Sequence, residues 1–216
     1  MKKWTVIFSL ISIFFLLWIE QGLEVTYVWK TFAKVMAFVI FPALLLRGYK
    51  FEFLQIRKTQ KKSIYLASGL GIVVAGTVLS AFMLLNDSID LVALQIDLET
   101  RVGVTASVFP FVAVYILLGN SFLEEFFFRG LLVDLLRDSK LKWFLPSLFF
   151  AIYHIAIFLP WFDWPILILA VAGLFIGGLI FQWINEKSGT IYPSWIIHIF
   201  ADIGVLLIGV YMFYFN

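Results

Sequence analysis

The sequence predicts an all-α, polytopic transmembrane helical bundle of about seven spans with its N-terminus in the cytoplasm. Three observations predict it: 62% apolar residues against 14% charged, a mean hydropathy of +1.00, and charge-free runs of membrane-crossing length separated by Lys and Arg clusters. The net charge of +2 is too small to recruit nucleic acid, so the basic residues read as topology signals. The absence of cysteine excludes disulfide scaffolds, thiolate metal sites and cysteine nucleophiles. Any chemistry rests on oxygen and nitrogen.

Lys2 and Lys3 precede an uncharged run from Trp4 to Ile19. It resembles a signal peptide, but no small-residue cleavage site follows, and it is read as a retained first span. A second span runs from about Val25 to Leu46, and its Lys30 and Lys34 read as snorkelling to the outer interface rather than serving a substrate or ion. Arg47, Lys50, Arg57, Lys58, Lys61 and Lys62 place the next loop in the cytoplasm. Ser63 to Asn86 is a third span, which leaves Asp87 to Arg101 outside as a short interfacial helix or loop with no assigned chemistry. Thr105 to Asp138 would reach roughly 50 Å as one straight helix, against a bilayer core of about 30 Å, so a kink or break is expected near Pro110 or Gly119. Arg137, Lys140 and Lys142 form a second cytoplasmic rim. Trp143 to Phe162 and Trp164 to Asn185 are joined by the outer turn from Pro160 to Pro165. Gly173 and Gly177 have the GxxxG spacing that permits close helix contact, without functional weight. After an inner turn from Glu186 to Gly189, Thr190 to Phe215 forms the last span. Residues 1–216 read as a single transmembrane domain with no linker or repeat.

Polar residues inside these spans carry the functional signal. Glu124, Glu125 and Arg129 end a stretch without charge that begins at Val102. A charge at bilayer depth costs from roughly 3 to more than 10 kcal/mol, so such groups line protein interiors or wet cavities. On a helix Glu125 and Arg129 share a face and Glu124 lies about 100° round, so one carboxylate can be held by the arginine while its neighbour stays free. Glu124 lies 13 residues before Arg137, His154 lies 12 after Lys142, and His198 lies 11 after Lys187. At 1.5 Å per residue all three sit roughly 16 to 20 Å below one surface. The chain has 2 histidines, and both fall at this depth, with Asp202 one turn beyond His198. A Glu and a His facing one water supply the general base and second proton-transfer group that attack on an amide requires. The second His and its Asp could stabilise an oxyanion, or Glu124, His154, His198 and Asp202 could hold a divalent metal such as zinc, although HExxH spacing is absent. Spacing alone leaves both open.

Three stretches resemble the motifs of a known family. Glu124 to Arg129 is similar to EExxxR, Phe150 to His154 to FxxxH, and His198 to Asp202 to His followed four residues on by Asn or Asp. They resemble the CPBP (Abi) family of intramembrane proteases, which includes type II CAAX prenyl endopeptidases and bacteriocin-immunity relatives. The similarity covers about 102–215. It implies a CAAX-type intramembrane endopeptidase, a hydrolase, in which Glu124 and His154 activate a water while His198 and Asp202 face the scissile carbonyl oxygen. Glu125, Arg129 and Phe150 would support the site. Asp202 stands where relatives carry an Asn able to donate a hydrogen bond, and the expected role for the carboxylate is to orient His198. The expected partners are the lipid bilayer and a membrane-embedded peptide or protein substrate, docked in an apolar pocket at mid-depth. A bacterial plasma membrane location is expected, so prenylated CAAX substrates need not apply. A non-catalytic Abi-type regulator or bacteriocin-immunity protein, and a proton-coupled transporter, are the alternatives.

Overall fold

The computed structural model describes residues 2–23 and 25–216, with side chains from residue 7 onward. Lys2 and Lys3, used as topology signals, lie outside the described side chains. Among the described residues the main helices are, in order, α1 (Lys2–Gly22), α2 (Tyr27–Leu45), α3 (Lys61–Ser88), α4 (Leu91–Asp97), α5 (Phe109–Leu135), α6 (Leu141–Phe158), α7 (Trp164–Ser188) and α8 (Tyr192–Tyr214). The described residues contain no strand. Among the described residues six helices, α2, α3 and α5 to α8, are long and apolar enough to cross a membrane, and α1 contributes the shorter apolar helix Ile7–Gly22. The all-helical membrane bundle is therefore as the sequence predicts.

The irregular turns have local causes. In α2 the ring of Pro42 would meet the carbonyl of Phe38, and the preceding turn, Met36–Ile40, widens into a π-helix. Pro110 does not kink α5 but starts it, in the first turn, where a missing N–H leaves no broken bond. The irregularity expected near Gly119 takes the form of a π-helical stretch at Ile116–Asn120, followed by a second at Glu125–Leu131, every residue of which is buried. Wide turns of this kind are over-represented at functional sites.

Aromatic packing holds α2, α5 and α6 together. Phe38 is fully buried, stacks on Phe127 with ring centroids 4.2 Å apart and meets Phe128 edge-on at 5.3 Å. Phe128 in turn meets Phe150 at 5.5 Å. Such pairs contribute about 0.5–1.5 kcal/mol each beyond the area they bury. The loop after α2 folds back under the bundle: the Phe53 carbonyl accepts from Ile191 N at 3.2 Å, and the Leu54 carbonyl accepts from the Tyr192 hydroxyl at 2.9 Å. The Phe53 ring lies against Gly130, where a Cβ would be 2.3 Å away. That closeness requires the glycine.

The GxxxG pair does not mediate a contact, since a Cβ on Gly173 or Gly177 would meet nothing within 4 Å. Gly178 next door is the close approach, its Cβ position 2.9 Å from both Arg129 Nη2 and Ser147 Cβ. On the other end of the bundle, Arg101 pairs with Asp97 at 2.8 Å and Trp161 Nε1 donates to Asp97 at 2.7 Å. These bonds, Arg101's first, hold the Asp97 carboxyl below the usual carboxylate range despite partial burial. The stretch given no chemistry from sequence thus acts as a polar clasp over the helix ends.

Candidate active site

Glu124 lies at the centre of a buried polar cluster, and its two oxygens have different surroundings. Oε1 accepts from Asn120 Nδ2 at 3.0 Å, one turn earlier on α5, and from Lys34 Nζ at 3.0 Å, on α2. Oε2 is buried with no hydrogen-bond partner among the described residues, 3.8 Å from His154 Nε2 and 3.6 Å from His198 Nε2. The three residues whose depths agree from sequence are therefore brought together from α5, α6 and α8. Their spacing is too long for direct hydrogen bonds and short enough for one water to touch all three.

The placement of Lys34 corrects the sequence reading. It does not snorkel outward but turns into the bundle, pairing with Glu124 and hydrogen-bonding Asn120 Oδ1, with its ammonium 5.0 Å from the centre of the Tyr153 ring. Burying Glu124 without a cation would leave an uncompensated charge, so the ion pair is the physical reason for the inward turn. Lys30, one turn earlier, pairs with Glu20 at 2.6 Å.

Each imidazole has one nitrogen fixed from behind. His154 Nδ1 lies 2.8 Å from the Phe150 carbonyl, an acceptor, so Nδ1 carries the hydrogen and the neutral ring presents the Nε2 lone pair to the centre. His198 Nδ1 lies 2.9 Å from Glu125 Oε1, also an acceptor, so Nδ1 carries a hydrogen there too, while Nε2 faces the carboxylates of Glu124 and Asp202. The orienting carboxylate is thus Glu125 rather than Asp202. Asp202 Oδ1 instead stands 3.8 Å from His198 Nε2, on the side facing Glu124, and its Oδ2 is buried with no hydrogen-bond partner among the described residues. Glu125 is completely buried, and its second oxygen accepts from Ser194 Oγ at 2.5 Å. Neighbouring glutamates on one helix therefore face opposite nitrogens of a single ring, Glu125 by a hydrogen bond and Glu124 across 3.6 Å, whereas a regular helical wheel sends them to different faces.

Arg129 pairs with Glu125 at 3.6 Å, as the i, i+4 spacing suggests, and its guanidinium lies 3.9 Å over the Phe150 ring. Phe150 thus meets the cluster with its ring, under Arg129 and edge-on to both imidazoles, and with its carbonyl on His154. Sequence reasoning missed Lys34, Asn120 and Ser194. The available signal was an amide four residues before Glu124 and a lysine one turn deeper than Lys30.

A space of about 210 Å³ opens beside Arg129 toward the rim, lined by Asp134, Arg137 and Glu186 together with Phe53, Val133 and Ile191. Among the described residues no group of three or more His, Asp and Glu side chains is placed to hold a metal ion, and Lys34 already occupies an oxygen of Glu124.

Fold and site together define a multi-span membrane protein with an acid and two imidazoles enclosed by its helices. Residues 106–204 match the family model of type II CAAX prenyl endopeptidase Rce1-like proteins. This segment contains Glu124, His154, His198 and Asp202, and its match supports the CPBP/CAAX protease family. No curated protein and no solved structure is similar to the chain at a significant level.

Proposed function

We propose that the protein is an intramembrane endopeptidase that hydrolyses a peptide bond with a water activated by Glu124 and His154. The observation that carries this reading is Glu124 Oε2, a buried oxygen without a hydrogen-bond partner facing two imidazole nitrogens. Water held there gives one proton to Oε2 while His154 Nε2 accepts a hydrogen bond from its other hydrogen. The water oxygen bonds to the carbonyl carbon, and the resulting oxyanion accepts from a proton carried on His198 Nε2. The intermediate collapses as the C–N bond breaks and Glu124 returns its proton to the leaving nitrogen, giving an amine and a carboxylic acid. Glu125 holds His198 in register, and Asp202 supports the charged form of the ring from the open side.

The substrate that fits is a membrane-embedded or membrane-adjacent peptide, because the reacting groups lie within the spans. The matching family model is described as type II CAAX prenyl endopeptidase, and a prenylated CAAX peptide is one probe beside native membrane peptides. The test compares peptides released from membranes containing wild-type protein, Glu124→Gln, His154→Ala and His198→Ala, each inserted normally. Fragments present with wild type and lost with all three variants support hydrolysis. Full biological activity in Glu124→Gln and His198→Ala would instead identify a non-catalytic regulator. Activity surviving exhaustive chelation supports a water held by side chains, and loss reversed by added zinc would overturn that part.

A further inference from the structure

We propose that Lys34 is a positioning residue of the hydrolytic site, the counter-ion that holds Glu124 as a carboxylate by one oxygen and turns the other toward the reacting water. This rests on the reading of Glu124 as the base. Lys34 lies on α2, outside the segment that matches the family.

The geometry divides the carboxylate into two ends. Oε1 receives the ammonium and the Asn120 amide, both at 3.0 Å, while Oε2 receives no hydrogen bond. The amide is itself fixed, because its oxygen accepts from the same ammonium that its nitrogen accompanies onto Oε1. This closed triangle of Lys34, Asn120 and Glu124 stops the carboxylate from rotating. His154 and His198 face Oε2 from α6 and α8, and Tyr153 lies beneath the ammonium from α6. The Lys34 side chain is 12% exposed and that of Glu124 1%, so little solvent screens the pair. A carboxylate buried without a counter-ion takes up a proton, and the uncharged acid cannot remove a second proton from water. Lys34 therefore makes the base usable rather than acting on the substrate.

Infrared difference spectra of the full chain in micelles test this without a substrate. Wild type minus Glu124→Gln is expected to show carboxylate stretching bands. Lys34→Met minus Lys34→Met/Glu124→Gln is expected to show the carbonyl band of an uncharged carboxylic acid, and Lys34→Arg to restore the carboxylate bands. Should Lys34→Met not accumulate, Lys34→Gln, which keeps a hydrogen bond but no charge, gives the same reading. A carboxylate band that persists in the uncharged variants overturns the proposal. In the peptide-release assay the uncharged variants are expected to lose about 100-fold or more in kcat with KM nearly unchanged, the size of a general-base contribution, with Lys34→Arg recovering most of it. Undiminished kcat in Lys34→Met alongside an inactive Glu124→Gln defeats the role of Lys34 alone. An active Glu124→Gln defeats the hydrolytic reading, and the infrared result then still decides the ion pair.

Discussion

Glu125→Ala removes the carboxylate on which three buried groups converge. Ser194 Oγ donates to it at 2.5 Å, His198 Nδ1 lies 2.9 Å away, and Arg129 Nη1 lies 3.6 Å away with its side chain 1% exposed. Without Glu125 the guanidinium loses its paired carboxylate, and breaking a buried ion pair from one side costs about 3–5 kcal/mol. For a chain of this size each kcal/mol lowers Tm by roughly 2–4 °C, so a fall of about 6–20 °C is expected. Arg129→Met leaves Glu125 with its bonds to Ser194 and His198, and its expected cost is smaller, about 1–3 kcal/mol. Combining the two removes both charges, and the double variant is expected to fall short of the summed losses by about 1 kcal/mol or more. Thermal unfolding in detergent micelles, followed by tryptophan fluorescence, measures all four proteins. Glu125→Ala melting within about 2 °C of wild type, or strict additivity in the double variant, would refute the charge-pair reasoning.

Gly178→Ala, whose Cβ would press on Arg129 Nη2 and Ser147 Cβ at 2.9 Å, is expected to cost about 1–3 kcal/mol of stability. Gly173→Ala and Gly177→Ala face open space and are expected to be neutral or stabilising by up to about 1 kcal/mol; melting curves that rank the three otherwise would contradict the packing. Asp97 supplies a pH-dependent contribution, because a folded-state pKa below the unfolded value adds stability that is present above the unfolded value and disappears as pH falls through the folded one. Asp97→Asn is therefore expected to lose about 1 kcal/mol or less near neutrality, with the deficit fading below about pH 4. A deficit that stays constant down to pH 3 would mean that the Arg101 pair carries no charge-dependent stability.

Glu124, His154 and His198 were legible because an apolar span makes any titratable residue conspicuous, and helix rise converts its distance from a basic rim into depth. Lys34 was not legible by the same rule, since a lysine in the first half of a span ordinarily reaches back to the interface. What turns it inward is a tertiary event, the arrival of Glu124 and Asn120 from α5. The pairing of Glu125 with His198 escaped for a different reason. A regular helical wheel separates adjacent residues by about 100°, but the wide turn beginning at Glu125 and the two nitrogens of one ring allow both carboxylates to reach it. The role expected of Asp202 passed to Glu125 because i, i+4 spacing says that two side chains are near, not which nitrogen each one meets.

Chains emerge from the ribosome N-terminus first, so α2 is made before α5. The Lys34 ammonium is thus already in place when a segment bearing Glu124, Glu125 and Arg129 must leave the insertion machinery for lipid. Its charge is of the sign that the incoming Glu124 requires, and α5 gains a docking partner that its own apolar faces do not supply. Biogenesis and catalysis then draw on the same electrostatic contact, and a chain altered at position 34 would show its first defect in the yield of inserted protein.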